Sequence, residues 1–178
     1  MKKLLVLLTV LAVASVASAG MVFDGKDQAQ PGEIVTISVI GDAVCTGMNI
    51  GGLRADAGSL AAGELNDGLN QFPSTGTPKD GSWENLWLIG ISGTPSLGSE
   101  PAAGDVLYTF TLDTTGLEIG TTVTIDDWSG IYQGAGRPYM TNFNTVSDDI
   151  AAMSVEIVPE PMTIALMGLG GLFLRRRK

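Results

Sequence analysis

The 178-residue chain contains no histidine and a single cysteine. Without an imidazole there is no Ser-His-Asp triad, no Cys-His dyad and no histidine-ligated zinc or iron. One cysteine excludes an internal disulfide framework and a thiolate metal cage. We interpret Cys45 as a small buried apolar residue in a strand over residues 44–46. With these groups missing and no catalytic motif in their place, the sequence predicts a protein that is not an enzyme.

The first 19 residues have the three parts of a secretory signal peptide. A basic head is followed by a mostly apolar stretch over residues 4–16 and by the small-residue pattern Ala17-Ser18-Ala19. An N-terminal membrane anchor is the alternative, but a spanning helix needs roughly 20 apolar residues and this run is shorter. We therefore expect cleavage by signal peptidase after Ala19, which makes Gly20 the mature N-terminus.

The last 20 residues form a second tripartite segment. Pro159-Glu160-Pro161 is held extended by its prolines and precedes 13 uncharged, mostly apolar residues, 162–174. As a helix these 13 residues would span about 20 Å, against roughly 30 Å of hydrocarbon. The basic end predicts a cytoplasmic C-terminus and an external domain; it consists of Arg175, Arg176, Arg177 and Lys178.

This tail resembles a PEP-CTERM sorting signal, in which a Pro-Glu-Pro motif, a short Gly-containing apolar helix and a basic terminus follow one another. The resemblance implies recognition by a membrane-embedded exosortase, transient residence in the inner membrane, and delivery to the cell surface or extracellular matrix. It covers only the tail and does not identify the function of the exported domain. An ordinary single-pass C-terminal anchor is the alternative.

Residues 20–158 remain as one domain, which is strongly acidic. It holds four Lys and Arg residues against 18 Asp and Glu residues, a formal charge of −14. Such a surface repels phosphate backbones, so nucleic acid and anionic membrane surfaces are poor partners. Basic proteins and divalent cations fit better, although a merely solvated acidic surface explains the composition as well.

The hydrophobic pattern of this domain is that of β-structure. Apolar and polar residues alternate over 34–40, 106–112, 122–125 and 153–157. Residues 83–91 are apolar on both parities after Glu84 and Asn85, as in a central strand covered on both faces. We expect a long loop or a weak strand over 66–82 and a short helical turn around 55–65. Gly- and Pro-rich turns between the strands predict an all-β, antiparallel β-sandwich flanked by an N-terminal signal helix and a short C-terminal hydrophobic helix.

The order of these segments resembles the cohesin-like sandwich, a jelly roll shared with bacterial carbohydrate-binding modules. The matching pieces are PGEIVTISV at 31–39, a Gly-rich middle, and GDVLYTFTL at 104–112. The resemblance implies a binding module, for a dockerin-type partner or for polysaccharide. It stands beside other immunoglobulin-like sandwiches, which the same pattern allows.

Two kinds of side chain are candidates for ligand contact. The acid pairs Asp126-Asp127 and Asp148-Asp149 lie at strand ends and would suit Ca²⁺, although neither matches a calcium-loop spacing and Asp is common at turns. Trp83 and Trp128 lie beside polar residues and would stack on sugar rings, whereas Trp87 fits the core. We predict no metal or cofactor requirement beyond this calcium hypothesis.

Together these features predict an exported surface or matrix protein with a non-enzymatic role in structure, adhesion or protein interaction. A carbohydrate-binding module is the first alternative and a secreted hydrolase the second. Exposed coplanar aromatics on one sheet would favour the sugar binder, and facing carboxylates in a cleft would favour the hydrolase. A flat apolar or Ser/Thr-rich sheet would favour protein interaction.

Overall fold

The computed structural model describes residues 20–78, 87–127, 139–141 and 150–160. Throughout these ranges the regular structure is β-strand, without a helix. The strands are β1 (Met21–Gly25), β2 (Gln28–Ala29), β3 (Ile34–Gly41), β4 (Gly47–Ala55), β5 (Ser59–Leu65), β6 (Gln71–Pro78), β7 (Trp87–Thr94), β8 (Val106–Asp113), β9 (Thr122–Asp127), β10 (Tyr139–Thr141), β11 (Ile150–Ala151) and β12 (Met153–Ile157).

The described strands form two sheets around one apolar core, so the predicted all-β sandwich is confirmed. Sheet A has the order β11-β1-β3-β8-β5. Sheet B has the order β2-β12-β9-β4-β7-β6, with β10 also paired to β4. Side chains from both inner faces meet between the sheets, as in other sandwiches.

Two strand pairs depart from the predicted antiparallel arrangement. β1 pairs with β11, and β12 pairs with β2, in parallel. The reason lies in the path of the chain ends: the segment β1–β2 passes from sheet A to sheet B, and the segment β11–β12 makes the same passage. Both ends run in the same direction along the same side of the sandwich, so their strands meet in parallel.

The core consists of the alternate apolar residues that the pattern predicts. In β3, Val35, Ile37 and Val39 are buried, and Val155 and Ile157 are buried in β12. A polar or exposed residue lies between successive buried residues, so one face of each strand points to the core and the other points to solvent.

The beginning of β8 differs from the predicted alternation. Tyr108, Phe110 and Leu112 are buried as expected, but Val106 is exposed and Leu107 is buried instead. The register against β3 shifts at the end of that strand, which marks a β-bulge or irregularity. An extra residue at such a point reverses which side chain faces the core.

Glycines produce a similar reversal in the middle of sheet B. Ile50 and Leu53 in β4 are both fully buried, as are Ile91 and Leu88 opposite them in β7. Residues three apart on a regular strand face opposite sides, so both strands change their inward parity between these pairs. The change coincides with Gly90 of β7, whose φ is +75°.

Two local predictions are corrected. Residues 55–65 contain no helical turn but the end of β4, a bend at 56–58 and β5. Cys45 is fully buried, as expected, but lies in the bend before β4 and not in a strand. The burial arises because its backbone N–H donates to the Pro101 carbonyl at 2.9 Å, which fixes this bend against the loop before β8.

The weak strand expected within 66–82 is observed as β6, and the strand expected over 83–91 is observed as β7 from Trp87 onward, with residues 83–86 outside the described ranges. The predicted signal helix and the predicted C-terminal helix both lie outside the described residues. Among the residues that the structure does describe, no helix is long and apolar enough to cross a membrane.

Candidate interaction surface

The outer face of sheet B carries small polar residues. Asn49 of β4 is opposite Ser92 of β7, and Ser92 is opposite Ser74 of β6. All three are half-buried. Further along β7, the register of the residues on either side places Gly90 between β4 and β6. A Cβ built on Gly90 would meet no atom within 4 Å. The face therefore carries small polar side chains at Asn49, Ser74 and Ser92 and is open at Gly90.

A bidentate ion pair lies further along the same sheet. Arg54 of β4 is directly opposite Asp126 of β9. Its Nε donates to Asp126 Oδ1 at 3.0 Å, and its Nη2 donates to Oδ2. This hydrogen-bonded carboxylate raises the pKa of Arg54 above its ordinary value. Asp126 is thus held by a cation of the same chain.

This pairing bears on the calcium hypothesis for Asp126 and Asp127. A calcium ion at Asp126 would compete with the guanidinium for the same two oxygens. Among the described residues no group of three or more His, Cys, Asp or Glu side chains is arranged to hold a metal ion. Asp148 and Asp149 lie outside the described ranges, so the calcium hypothesis remains a prediction.

Phe72 is the most unusual residue of sheet B. It is 87% exposed in the edge strand β6 and has a φ of +53°. A non-glycine residue in this left-handed region costs roughly 1–3 kcal/mol. The register of β6 against β7 shifts between Gln71 and Ser74, so the backbone departs from the ladder where the ring projects. The strand thus holds an aromatic ring in solvent at a cost in backbone strain.

Leu97, in the connection from β7 to β8, lies at the same corner and is 96% exposed. Hydrogen bonds between the neighbours of the two residues join the segments. Gln71 Nε2 donates to Ser96 Oγ at 3.2 Å, and Ser96 Oγ donates to Asn70 Oδ1 at 3.0 Å. We call Phe72 and Leu97 together the apolar corner.

Acidic residues lie in the same chain segments as this corner, and the basic residues that flank these segments in the sequence are Arg54 and Lys79. Glu64 and Asp67 are exposed, and Glu100 is half-buried. Residues 55–78 and 87–127 contain no Lys, Arg or His. The corner therefore combines exposed apolar surface with a negative electrostatic field.

The residues predicted for sugar contact are not among those that the structure describes. Trp83 and Trp128 both lie outside the described residues, so the aromatic-platform hypothesis remains a prediction. The described part of sheet B shows instead a face of small polar residues, Asn49, Ser74 and Ser92. Because Asp126 is paired with Arg54, the facing carboxylates expected of a hydrolase are not formed by this residue.

The export residues are placed in part. Gly20 begins the described chain beside β1, and Pro159 and Glu160 follow β12 after one intervening residue, Val158. Pro161 lies outside the described residues, as do Ala17, Ala19 and the basic end; that end comprises Arg175, Arg176, Arg177 and Lys178.

Sequence reasoning did not identify the apolar corner. Phe72 stands in a polar, Gly/Pro-rich stretch, and Leu97 stands between Ser96 and Gly98. Single apolar residues within polar segments are common on protein surfaces, so the sequence carries no signal that distinguishes these two.

No family model matches the chain, and no curated protein matches it. Solved structures with a similar fold are cohesin modules. The sixth cohesin of Acetivibrio cellulolyticus scaffoldin B, solved in complex with a mutant Cel5 dockerin, is 11% identical with a TM-score of 0.52. This match covers 79% of this chain and 99% of that one.

Two further cohesins are similar to a lesser degree. The seventh ScaB type I cohesin of Pseudobacteroides cellulosolvens is 15% identical, covers 80% of this chain and 94% of its own, and has a TM-score of 0.47. A type III cohesin from the ScaE cell-surface anchoring scaffoldin of Ruminococcus flavefaciens is 13% identical, covers 83% and 91%, and has a TM-score of 0.49. The likeness to the Acetivibrio cellulolyticus module supports the predicted cohesin-like sandwich and concerns the fold alone.

Proposed function

We propose that this protein is an exported, non-enzymatic protein-interaction module whose partner binds at the apolar corner. The observation that carries the proposal is the exposure of Phe72 in a left-handed backbone conformation. Folding alone would favour a glycine there, because the ring buries little surface and the backbone is strained. A bound partner that covers the ring would recover the hydrophobic free energy that the free protein forgoes.

The fold supports this class of function. The Acetivibrio cellulolyticus cohesin was solved with a dockerin, so a sandwich of this shape is able to present a protein-binding surface. The face formed by Asn49, Ser74 and Ser92 adjoins the corner on the same sheet and would accommodate a broad partner. Large aromatic anchors surrounded by small polar contacts are typical of interface centres.

The chemistry of the corner defines the partner. Apolar side chains on the partner would pack against Phe72 and Leu97, and Lys or Arg residues beside them would face Glu64 and Asp67. Such charge pairing chiefly accelerates association and weakens with salt. The partner we propose is therefore a protein with a basic segment that also carries apolar residues.

A site-specific photo-crosslinker at position 97, introduced in the exporting cells, tests this proposal. We expect a discrete protein adduct that disappears when Phe72→Ala is added in the same chain. The matched control is the crosslinker at position 34, since Ile34 is 65% exposed but lies on sheet A. Equal adducts at positions 97 and 34, or none at 97, would contradict the proposal. A polysaccharide adduct lost on substitution of Trp83 and Trp128 would favour the carbohydrate-binding alternative.

We also propose that the protein is exported by its signal peptide and sorted by an exosortase to the cell surface or matrix. The support is the sequence of the two termini, which resemble a signal peptide and a PEP-CTERM sorting signal. Intact mass and cell fractionation test the proposal. Loss of residues 1–19 and of the tail beyond Pro159-Glu160-Pro161, with the protein outside the inner membrane, is the expected result. An intact tail retained in the inner membrane would contradict the sorting step.

A further inference from the structure

Gly20 and Asp42 form a reciprocal pair of hydrogen bonds at one end of sheet A. The Gly20 N–H donates to Asp42 Oδ1, and the Asp42 N–H donates to the Gly20 carbonyl at 3.0 Å. Asp42 directly follows β3, and Gly20 directly precedes β1, which pairs with β3. Met21, the next residue, is 2% exposed. The position of Gly20 is therefore set by the core beside it.

The same arrangement occurs a second time within the chain. Asp56 follows β4, its Oδ1 accepts from the Thr124 N–H at 2.7 Å, and its own N–H donates to the Thr124 carbonyl at 3.1 Å. An aspartate after a strand thus ties that strand to its neighbour at both places. The difference is that Thr124 lies inside the chain, whereas Gly20 is the first residue after the predicted cleavage position.

We propose that signal-peptide cleavage converts the Gly20–Asp42 hydrogen bond into an ion pair that fixes the mature N-terminus to sheet A. Hydrolysis of the Ala19–Gly20 amide consumes one water and yields the Ala19 carboxylate and the Gly20 amine, which is protonated as an ammonium at neutral pH. That ammonium forms on the nitrogen that already contacts the Asp42 carboxylate. The inference rests on the export step of the proposed function.

Among the described residues, Asp42 is the carboxylate that contacts this nitrogen, whereas Asp148 and Asp149, which precede β11 in the sequence, lie outside the described ranges. On β11, the neighbour of β1, the described residues Ile150 and Ala151 carry no charge. Asp105 lies nearby, because its carbonyl accepts from the Gly41 N–H at 3.2 Å. Its carboxylate accepts from the Ala102 N–H at 2.7 Å and so belongs to another turn. At the far end of β1, Lys26 is paired with Glu33.

The ion pair makes a prediction with a definite sign. A carboxylate on the ammonium favours its charged form, so the pKa of the Gly20 amine rises above the ordinary range of about 7.7–8.0. The added stability is therefore complete below the unfolded pKa of the amine and is lost as the pH rises through the folded pKa. In an unprocessed chain Gly20 retains an amide N–H, which has no such titration.

The test measures the pKa of the Gly20 amine in protein recovered from exporting cells. An amine-acylating reagent is applied across pH 6 to 10, and modification of the N-terminal peptide is followed by mass spectrometry. Folded wild type is compared with wild type in urea and with the Asp42→Asn and Asp56→Asn variants. We expect the wild-type midpoint to lie roughly 0.3–0.7 pH unit above that of Asp42→Asn and of the urea sample, the size of an exposed ion pair. Asp56→Asn should retain the wild-type midpoint.

Two outcomes contradict the inference in distinguishable ways. A mature chain that begins with Gly20 but titrates alike when folded and in urea would overturn the ion pair and leave export intact. A mature chain that begins at another residue would overturn the cleavage position and, with it, the site. The urea comparison uses only wild-type protein, so the test does not depend on the folding of Asp42→Asn.

Discussion

Phe72 brings together two features that folding alone opposes, an exposed ring and a left-handed backbone. Sequence inspection would assign such a residue either to the core or to an unremarkable loop. The two features occur together at the register shift in β6. That shift depends on how β6 pairs with β7, which begins 16 residues after β6 begins, so local sequence does not predict it.

The first prediction concerns Phe72→Gly. We expect this change to raise the free energy of unfolding by roughly 0.5–1 kcal/mol, because relief of the left-handed strain exceeds the entropy that glycine adds to the unfolded chain. Partner crosslinking at position 97 should fall in the same variant. Urea denaturation measures the first effect.

Ile119→Gly is the control for this prediction, since Ile119 is exposed but has no positive φ. It should not gain stability. A loss of stability in Phe72→Gly would show that the ring stabilises the free protein, which would contradict the proposal that its exposure serves partner binding.

At the scale of elements, glycines allow the strands of sheet B to change parity. Gly90 and Gly76 both have positive φ and are opposite one another by the flanking register of β6 and β7. A Cβ on Gly90 would meet open space, whereas a Cβ on Gly76 would lie 2.8 Å from Ile91 Cγ1. Alanine at position 90 therefore introduces backbone strain alone, whereas alanine at position 76 introduces backbone strain and steric overlap together.

The second prediction follows from this difference. Gly90→Ala should cost roughly 1–2 kcal/mol from backbone strain alone, and Gly76→Ala roughly 2–4 kcal/mol because it also displaces the buried Ile91. Urea midpoints of the two variants measure the order. Equal costs would mean that the Ile91 side chain moves aside freely.

The turn between β2 and β3 is tied to the end of β8 by Thr114, a polar side chain that is fully buried. Its hydroxyl lies 2.7 Å from the Gln30 carbonyl oxygen and 2.9 Å from that of Glu33. Pro31-Gly32 is a turn signal in the local sequence, but the partner of this turn, 84 residues away, was not predictable from local sequence.

The third prediction is that Thr114→Val destabilises the protein by roughly 1 kcal/mol, because the isosteric side chain keeps the volume and removes the hydrogen bond. Thr122→Val, at an exposed strand position in β9, is the control and should change stability by less than about 0.5 kcal/mol. Thermal and urea unfolding give the comparison. A cost equal to that of the control would mean that the hydroxyl adds nothing beyond its volume.

At the scale of the whole molecule, acidic charge dominates. The 20–158 domain has a formal charge of −14, and its few cations are partly engaged by the pairs Lys26–Glu33 and Arg54–Asp126. Self-repulsion of this size opposes the compact state and is reduced by added salt.

The fourth prediction is therefore that NaCl raises the melting temperature of the protein while it slows association with a basic partner. CaCl₂ and MgCl₂ at equal ionic strength should raise the melting temperature alike, since Arg54 already occupies the Asp126 carboxylate. A specific gain with Ca²⁺ would support the calcium hypothesis. Differential scanning calorimetry distinguishes these results.

The sequence by itself determined the features that local patterns encode. Alternation of apolar and polar residues is a consequence of strand geometry, so β3, β8, β9 and β12 were predictable without their partners. The two predicted terminal export signals are linear patterns, and their prediction likewise needs no fold. Strand β4 was not predictable in this way, because its glycines interrupt the alternation that would reveal it.

Tertiary structure alone decided the rest. The parallel pairs β1–β11 and β2–β12, the exposure of Phe72 and Leu97, and the contact of Gly20 with Asp42 all join residues that are far apart in the chain or at a register shift. Such contacts depend on which strands become neighbours and on where a bulge changes parity. The free energy of each such contact depends on both of the residues that form it. The local sequence around either residue alone therefore does not predict the contact.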